Sequence, residues 1–335
     1  MPGQQGWQGG QVVLQDGRML VIGGFTTGDA VSGATYAYHP NNGWATMATL
    51  NVPRYAFSTC LLSDGRVLVA GGTDALYADT LTCEVYDPDL DQWTLTDPLL
   101  VARYTTCLVT LDNGKSLLAA GGDATAGGPT TSVLYDPTTD LWSATGSVVT
   151  GARRFPVFAK LADGTVLLAG GHTSSIPKTA ERYNPTTGLW TAVGSTTYGH
   201  SLGNMVFLTG ISKALIIGGN NVGNTPTQYC ELFDAGTNTW SVTDPIPTAV
   251  YGVPPGVSVF LHGKAVVAGG YTVGALVTGA TSAYDEQTGL WTALDTLITP
   301  RTTHFMMVVG NQIVVAGGYT DALAYLASAE KLVGL

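Results

Sequence analysis

One short phrase is written seven times in this chain of 335 residues. It reads QDGRMLVIGG at 15–24, SDGRVLVAGG at 63–72, DNGKSLLAAGG at 112–122 and ADGTVLLAGG at 162–171. It returns as ISKALIIGG at 211–219, LHGKAVVAGG at 261–270 and GNQIVVAGG at 310–318. The glycine pairs begin at Gly23, Gly71, Gly121, Gly170, Gly218, Gly269 and Gly317, at intervals of 48 to 51 residues. A second series keeps step with them: Trp44, Trp93, Trp142, Trp190, Trp240 and Trp291. Each of these follows an aromatic by six or seven residues: Tyr38, Tyr86, Tyr135, Tyr183, Phe233 and Tyr284. A period of this length makes the chain a set of like units, and that constrains the fold more than any local propensity.

Each unit reads as four short strands. In the second, AFSTCLLS, RVLVAGG, LTCEVYDP and QWTLTD are apolar, β-branched runs bounded by turn residues. Asp-Gly or Asn-Gly joins strands one and two at 16–17, 64–65, 113–114 and 163–164, as tight hairpins require. DPDLDQW, DPTTDLW and NPTTGLW join strands three and four. One four-stranded antiparallel unit cannot bury both faces alone. Seven stacked radially cover one another and form a β-propeller.

The units resemble kelch repeats in the Gly-Gly ending strand two, the aromatic of strand three and the Trp of strand four. The Arg before strand one (VPRY, VARY, TPRT) adds to the likeness. The resemblance runs over almost the whole chain and implies an all-β, seven-bladed kelch-type β-propeller. Its blades are expected at approximately 7–49, 50–98, 99–148, 149–196, 197–246, 247–297 and 298–335. The last unit stops after strand three (SAEKLVGL), and few residues precede Trp7. The expectation is therefore a three-stranded last blade whose open edge, Ala327–Leu335, meets a partner strand or a second copy.

Apolar residues make up 45% of the chain, enough for a large core, and charged residues only 11%. A net charge of −10 and few lysines argue against nucleic acid as a partner. No apolar run approaches the roughly 20 residues of a membrane helix. The N-terminal MPGQQGWQGG has neither the basic nor the apolar region of a secretory signal. The compartment stays open, with an extracellular, cell-surface or virion setting preferred.

Strand polarity sorts the connections. The 1–2 and 3–4 hairpins share one face, and the longer, more varied 2–3 and 4–1 loops share the other, where function tends to sit. The residues just after each Gly-Gly are Phe25, Thr73, Asp123, His172, Asn220, Tyr271 and Tyr319. Asp, His, Asn and Tyr there suit hydrogen bonding to, and stacking on, a sugar or peptide. Trp7, Arg54 with Tyr55, Arg103 with Tyr104, Arg153 with Arg154, Tyr251 and Arg301 precede strand one. An Arg ring could fork onto a carboxylate; the family implies instead that such an Arg ties blades together.

Catalytic patterns are scarce. Four Cys carry no CxxC, and Cys83 and Cys230 fall on equivalent third-strand positions held elsewhere by Thr, Ser or Ala, which points to small buried residues. Resemblance to galactose-oxidase-like kelch enzymes would imply copper held by two Tyr and two His with a Cys–Tyr crosslink, a set the register does not assemble. Asp29, Asp74, Asp79, Asp123 and Asp321 are carboxylate candidates for glycoside chemistry. The reading is a non-enzymatic recognition module for a protein or glycan, with no cofactor or metal expected. The alternatives are a carbohydrate-active kelch enzyme (galactose-oxidase-like or sialic-acid mutarotase-like) and a structural assembly subunit pairing through the open last blade.

Overall fold

The computed structural model describes residues 1–4, 6, 8–123, 128–223, 225–252 and 258–332. They form six four-stranded antiparallel sheets and a seventh of three strands, with no α-helix among the described residues. In blade 2 the strands are Ser58–Leu61, Val67–Ala70, Cys83–Asp87 and Gln92–Thr96. The Asp-Gly hairpin shows why the phrase starts as it does. Gly65 takes φ 91°, and Asp64 accepts hydrogen bonds from the Arg66 N–H and its Nε. A left-handed turn residue and an Asx-type bond together fix the register.

Second strands are the most buried: Val67–Ala70, Ser116–Ala119 and Val166–Ala169 are buried at every position. Their runs are continuous rather than alternating because a neighbouring blade covers each face. Val12, Leu20 and Ile22 of blade 1 pack with Val67, Val69, Tyr86 and Trp93 of blade 2 in one apolar cluster. Each strand-three aromatic lies opposite its strand-four Trp, at centroid distances of 4.9–5.3 Å. The Trp93 and Trp142 indole N–H groups reach back to the Ala48 and Asp97 carbonyls of the preceding blade. The repeating aromatics thus seal blade on blade.

The glycine pair performs the other junction. Gly71 and Gly72 take φ 63° and 91°, and the Gly72 N–H donates to the Arg103 carbonyl of the next blade at 2.9 Å. Gly171 donates likewise to His200, Gly219 to Val250 and Gly270 to Arg301. Blade 3 slips by one residue. Ala120 takes the first position at φ 57°, and Gly121 makes the bond, to Arg153.

First strands line the central channel, each beside that of the next blade, and Gly10–Val13 meets Phe305–Val309 to close the ring. Across that seam the Gln11 amide exchanges two hydrogen bonds with the Met306 backbone. The last blade has Phe305–Val309, Gln312–Ala316 and Ala329–Leu332. No fourth strand lies beside it among the described residues. The Met1 ammonium reaches the Ala327 carbonyl at 2.7 Å and Gly6 bridges Phe25, so the described N-terminal residues cross the seam without adding an outer strand. Val333, Gly334 and Leu335, the end of the proposed pairing segment, lie outside the described residues.

Candidate functional site

The face of the long loops carries two adjoining depressions. A groove of about 1130 Å³ runs over blades 2 to 4 and is lined by Tyr55, Tyr77, Asp79, Tyr104, Asp123, Arg154 and His172, among others. A cavity of about 370 Å³ opens at the channel mouth and is lined by Phe57, Phe155, Phe158, Tyr251, Tyr271, Tyr319 and His304, among others.

The backbone builds the cavity wall by one repeated device. The residue before strand one pairs with the residue after the second glycine, as in Tyr55 with Thr73, Arg154 with His172 and Thr302 with Tyr319. The chain then turns left-handed for one residue before entering the strand: Ala56 (φ 55°), Thr105 (51°), Phe155 (53°), Leu202 (54°) and Thr303 (48°). Gln8 (60°) does the same in blade 1. Such φ values are uncommon for residues with a Cβ. Here a bond to the preceding blade offsets the strain: Ala56 N–H to Gln8 O and Thr105 N–H to Ala56 O, both 2.8 Å. All six of these residues line the cavity.

The sequence-derived candidates divide into three groups. Tyr55, Tyr104, Asp123 and His172 meet in the groove, and Tyr271 and Tyr319 meet at the cavity. Asp123 arrives there by the blade 3 slip: Gly122, not Asp123, pairs with Tyr104. Tyr271 and Tyr319 hydrogen-bond hydroxyl to hydroxyl. Tyr251 stacks on Tyr271 at 5.4 Å, and Tyr325, packed on Tyr319, donates to Asp29 at 2.8 Å. Burial, then the Tyr319 contact, pushes the Tyr271 hydroxyl above its ordinary value, so it stays protonated.

The second group is buried. Phe25 is packed on the Tyr55 ring at 4.4 Å. Asn220 is 6% exposed, its backbone paired with Ser201. Arg54, Arg103 and Arg301 are at most 2% exposed and do not reach the mouth. Arg54 donates to the Gly71 and Thr82 carbonyls and pairs with Glu84 at 3.0 Å. Arg301 repeats this with Gly317, Ser328 and Glu330, and Arg153 with Gly170, Thr179 and Glu181. The guanidinium forks onto its own blade's carbonyls, the framework role that the resemblance implied. Trp7, the third case, lies outside the described residues.

His200 fills the Arg position in blade 5, its ring between the Gly218 carbonyl (2.8 Å) and Glu231 (3.1 Å). Burial alone would raise the Glu231 carboxyl, but hydrogen bonds from His200 and from the Thr197 and Tyr198 N–H groups hold it below its ordinary value. A depressed folded-state pKa contributes stability that is present above the ordinary carboxylate value and is lost as pH falls through the lowered one. Glu231→Gln is therefore expected to flatten the acid limb of a melting-temperature profile below about pH 4.5. An unchanged limb would show that this carboxylate is not linked to folding.

Sequence reasoning missed Tyr77, Tyr325 and His304. The first two sit in 2–3 loops that differ from blade to blade. His304 follows the left-handed residue of the last blade, a position that could have been found by aligning blades on that turn. The four cysteines are buried in the blades' apolar clusters, away from both depressions.

Fold and site define a seven-bladed propeller with a closed inner ring, an open outer edge on its last blade, and its uneven loops gathered at one mouth. No family model matches the chain. It is 38% identical over 95 residues to an F-box/kelch-repeat protein of Arabidopsis thaliana and 30% identical over 96 residues to a second one of that plant. Those stretches are 27% and 26% of this chain, and 25% and 28% of those proteins. Among solved structures it is similar to a fungal alcohol oxidase of the AA5 family in complex with copper. That match has TM-score 0.74 and 19% identity, covering 96% of this chain and 71% of that one; it shows the fold. The kelch-repeat relatives and the seven-bladed architecture together support a kelch-repeat β-propeller.

Proposed function

We propose that this propeller is a recognition module whose long-loop face docks a protein segment. One observation carries the reading. The 2–3 loops of blades 2, 5, 6 and 7 raise apolar side chains into solvent at their tips: Leu76 and Tyr77, Val222, Val273 and Leu276, and Leu323. Leu76 is 86% exposed. The loops that raise them are ordered turns: Asp74 N–H to Ala78 O, Thr272 N–H to Leu276 O, and Thr320 N–H to Ala324 O. A crown of exposed apolar tips beside a polar groove is the composition of a protein-docking surface. Asp79 and Asp321 on two of these loops, with Asp29 and Asp123 on the 2–3 connections of blades 1 and 3, in a chain of net charge −10, favour a neutral or basic segment.

The test is selection from a displayed peptide library. Peptides with apolar anchors and basic flanks are expected. The double change Leu76→Ser and Tyr77→Ser should weaken a selected peptide at least tenfold. Leu90→Ser, in the exposed 3–4 turn of the opposite face, should leave binding unchanged. Equal loss in both variants, or binding only on a glycan array, would overturn the reading.

A second reading rests on the last blade. Glu330 and Lys331 of Ala329–Leu332 lie on an edge with no outer strand among the described residues. An extended segment, from a partner or a second copy, could add there.

For the oxidase alternative, His304, Tyr251, Tyr271 and Tyr319 share one cavity. His200 is taken up by Glu231, His172 lines the neighbouring groove, and every cysteine is elsewhere. Among the described residues this does not assemble two Tyr, two His and a crosslinking Cys.

A further inference from the structure

The channel-mouth cavity has properties that docking on the loop crown does not use. Its wall is Phe57, Leu108, Phe155, Phe158, Leu202 and Phe305, with no Asp, Glu, Lys or Arg among the described residues that line it. Set into that wall are polar atoms with no hydrogen-bond partner, the hydroxyls of Thr59, Thr105 and Thr303. His304 is only 1% exposed, its ring against the Arg301 backbone. Of the other polar groups in the lining, Gln11 is taken up by the Met306 backbone, Ser58 by Thr106 and Tyr271 by Tyr319. Buried polar groups in folded proteins almost always have partners.

From this geometry we infer that the cavity is a binding site for a small, uncharged, largely aromatic molecule bearing one or two hydrogen-bonding groups, held by the aromatic wall and the threonine hydroxyls. The volume fits the class. An apolar cavity of about 150 Å³ accepts a single benzene ring, so about 370 Å³ accommodates a two-ring compound. The wall excludes charge, because an ion moved into it would lose its water with nothing to replace it. His304 adds no charge to the wall. Burial, and then the nearby Arg301 guanidinium, lowers its pKa to about 3 against the opposing hydrogen bond to the Arg301 backbone. The ring is therefore neutral at physiological pH, with one donor and one acceptor nitrogen. The hydrogen-bonded Tyr271 and Tyr319 stand at the rim, so entry is from the loop face.

The probe is 2-naphthol, titrated calorimetrically into the full chain, with 2-naphthoate as its charged counterpart. Naphthol is expected to bind saturably, at least tenfold more tightly than naphthoate. Phe155→Trp, which fills the cavity, should abolish binding. Thr105→Val combined with Thr303→Val should weaken it at least fivefold. Phe158→Trp, three residues further along in the same blade's first strand, repeats the filling test should Phe155→Trp melt early. Three results would overturn the site. These are no saturable binding of naphthol, equal binding of naphthoate, or binding that survives either filling variant in a protein with unchanged melting. A crystal soak showing only ordered water on the threonines would do the same. Loss of peptide docking leaves this result untouched, since Leu76 and Tyr77 are not in the cavity wall.

Discussion

Arg54→Leu is expected to destabilise the propeller by about 3–5 kcal/mol, while Arg103→Leu, at the same position one blade on, costs roughly 1–3 kcal/mol. Both guanidiniums are buried and both fork onto a strand-three threonine, Thr82 or Thr131. The difference is what each leaves behind. Glu84 is fully buried beside Arg54, and its remaining donors are the neutral Asn51 and Val52 N–H groups and the Asn51 amide. Without Arg54 its negative charge has no counter-ion. In blade 3 the Glu84 position is Val133, so loss of Arg103 frees a carbonyl and a hydroxyl but no buried carboxylate. The guanidinium itself records the poorer setting: burial lowers Arg103 to about 10, opposed by Asp123 alone. Urea denaturation of the two variants checks the order. The double variant Arg54→Leu with Glu84→Val, which imitates blade 3 at strand three, should recover at least half of the loss. Equal costs for the two single variants, or no recovery in the double, would mean that the ion pair is not what Arg54 supplies.

The same pair shows what the sequence made legible and what it hid. Blade number, strand order and the three-stranded last blade follow from residues whose partners lie in the same or the next repeat, so each repeat restates them. The Arg was visible, but its destination was not, because a recurring Arg before a strand fits a mouth and a framework equally well. The deciding signal was available: Glu is the second residue of strand three in blades 2, 4, 5 and 7. A charge recurring at one position of a strand packed between blades has to be paired. The groove was less legible. Asp123 reaches it through a slip of one residue, and Tyr77 and Tyr325 sit in a turn that blades 2, 6 and 7 share but fill with different side chains. The turn recurs, while which of its positions carries an aromatic does not.

The slip in blade 3 supplies the second large effect. Gly71→Ala is expected to cost about 2–5 kcal/mol, from left-handed strain and overpacking together. Ala120→Gly, at the matching position, should change stability by no more than about 1 kcal/mol. A Cβ on Gly71 would stand 2.4 Å from the Arg103 carbonyl oxygen of the next blade. That oxygen cannot retreat without stretching its 2.9 Å bond from the Gly72 N–H. At Gly170 the same test gives 2.1 Å to the His200 oxygen. Ala120 already carries its Cβ, buried and at φ 57°, so the junction between blades 3 and 4 has been set to hold a methyl. Removing it relieves left-handed strain but gives up a packed methyl and a stiffer unfolded chain, and these terms nearly cancel. Thermal melting of the two variants decides the matter. A neutral Gly71→Ala would show that neighbouring blades can part by several tenths of an ångström at no cost. The glycine pair would then be a turn preference of each blade alone and not the contact that sets the spacing between blades.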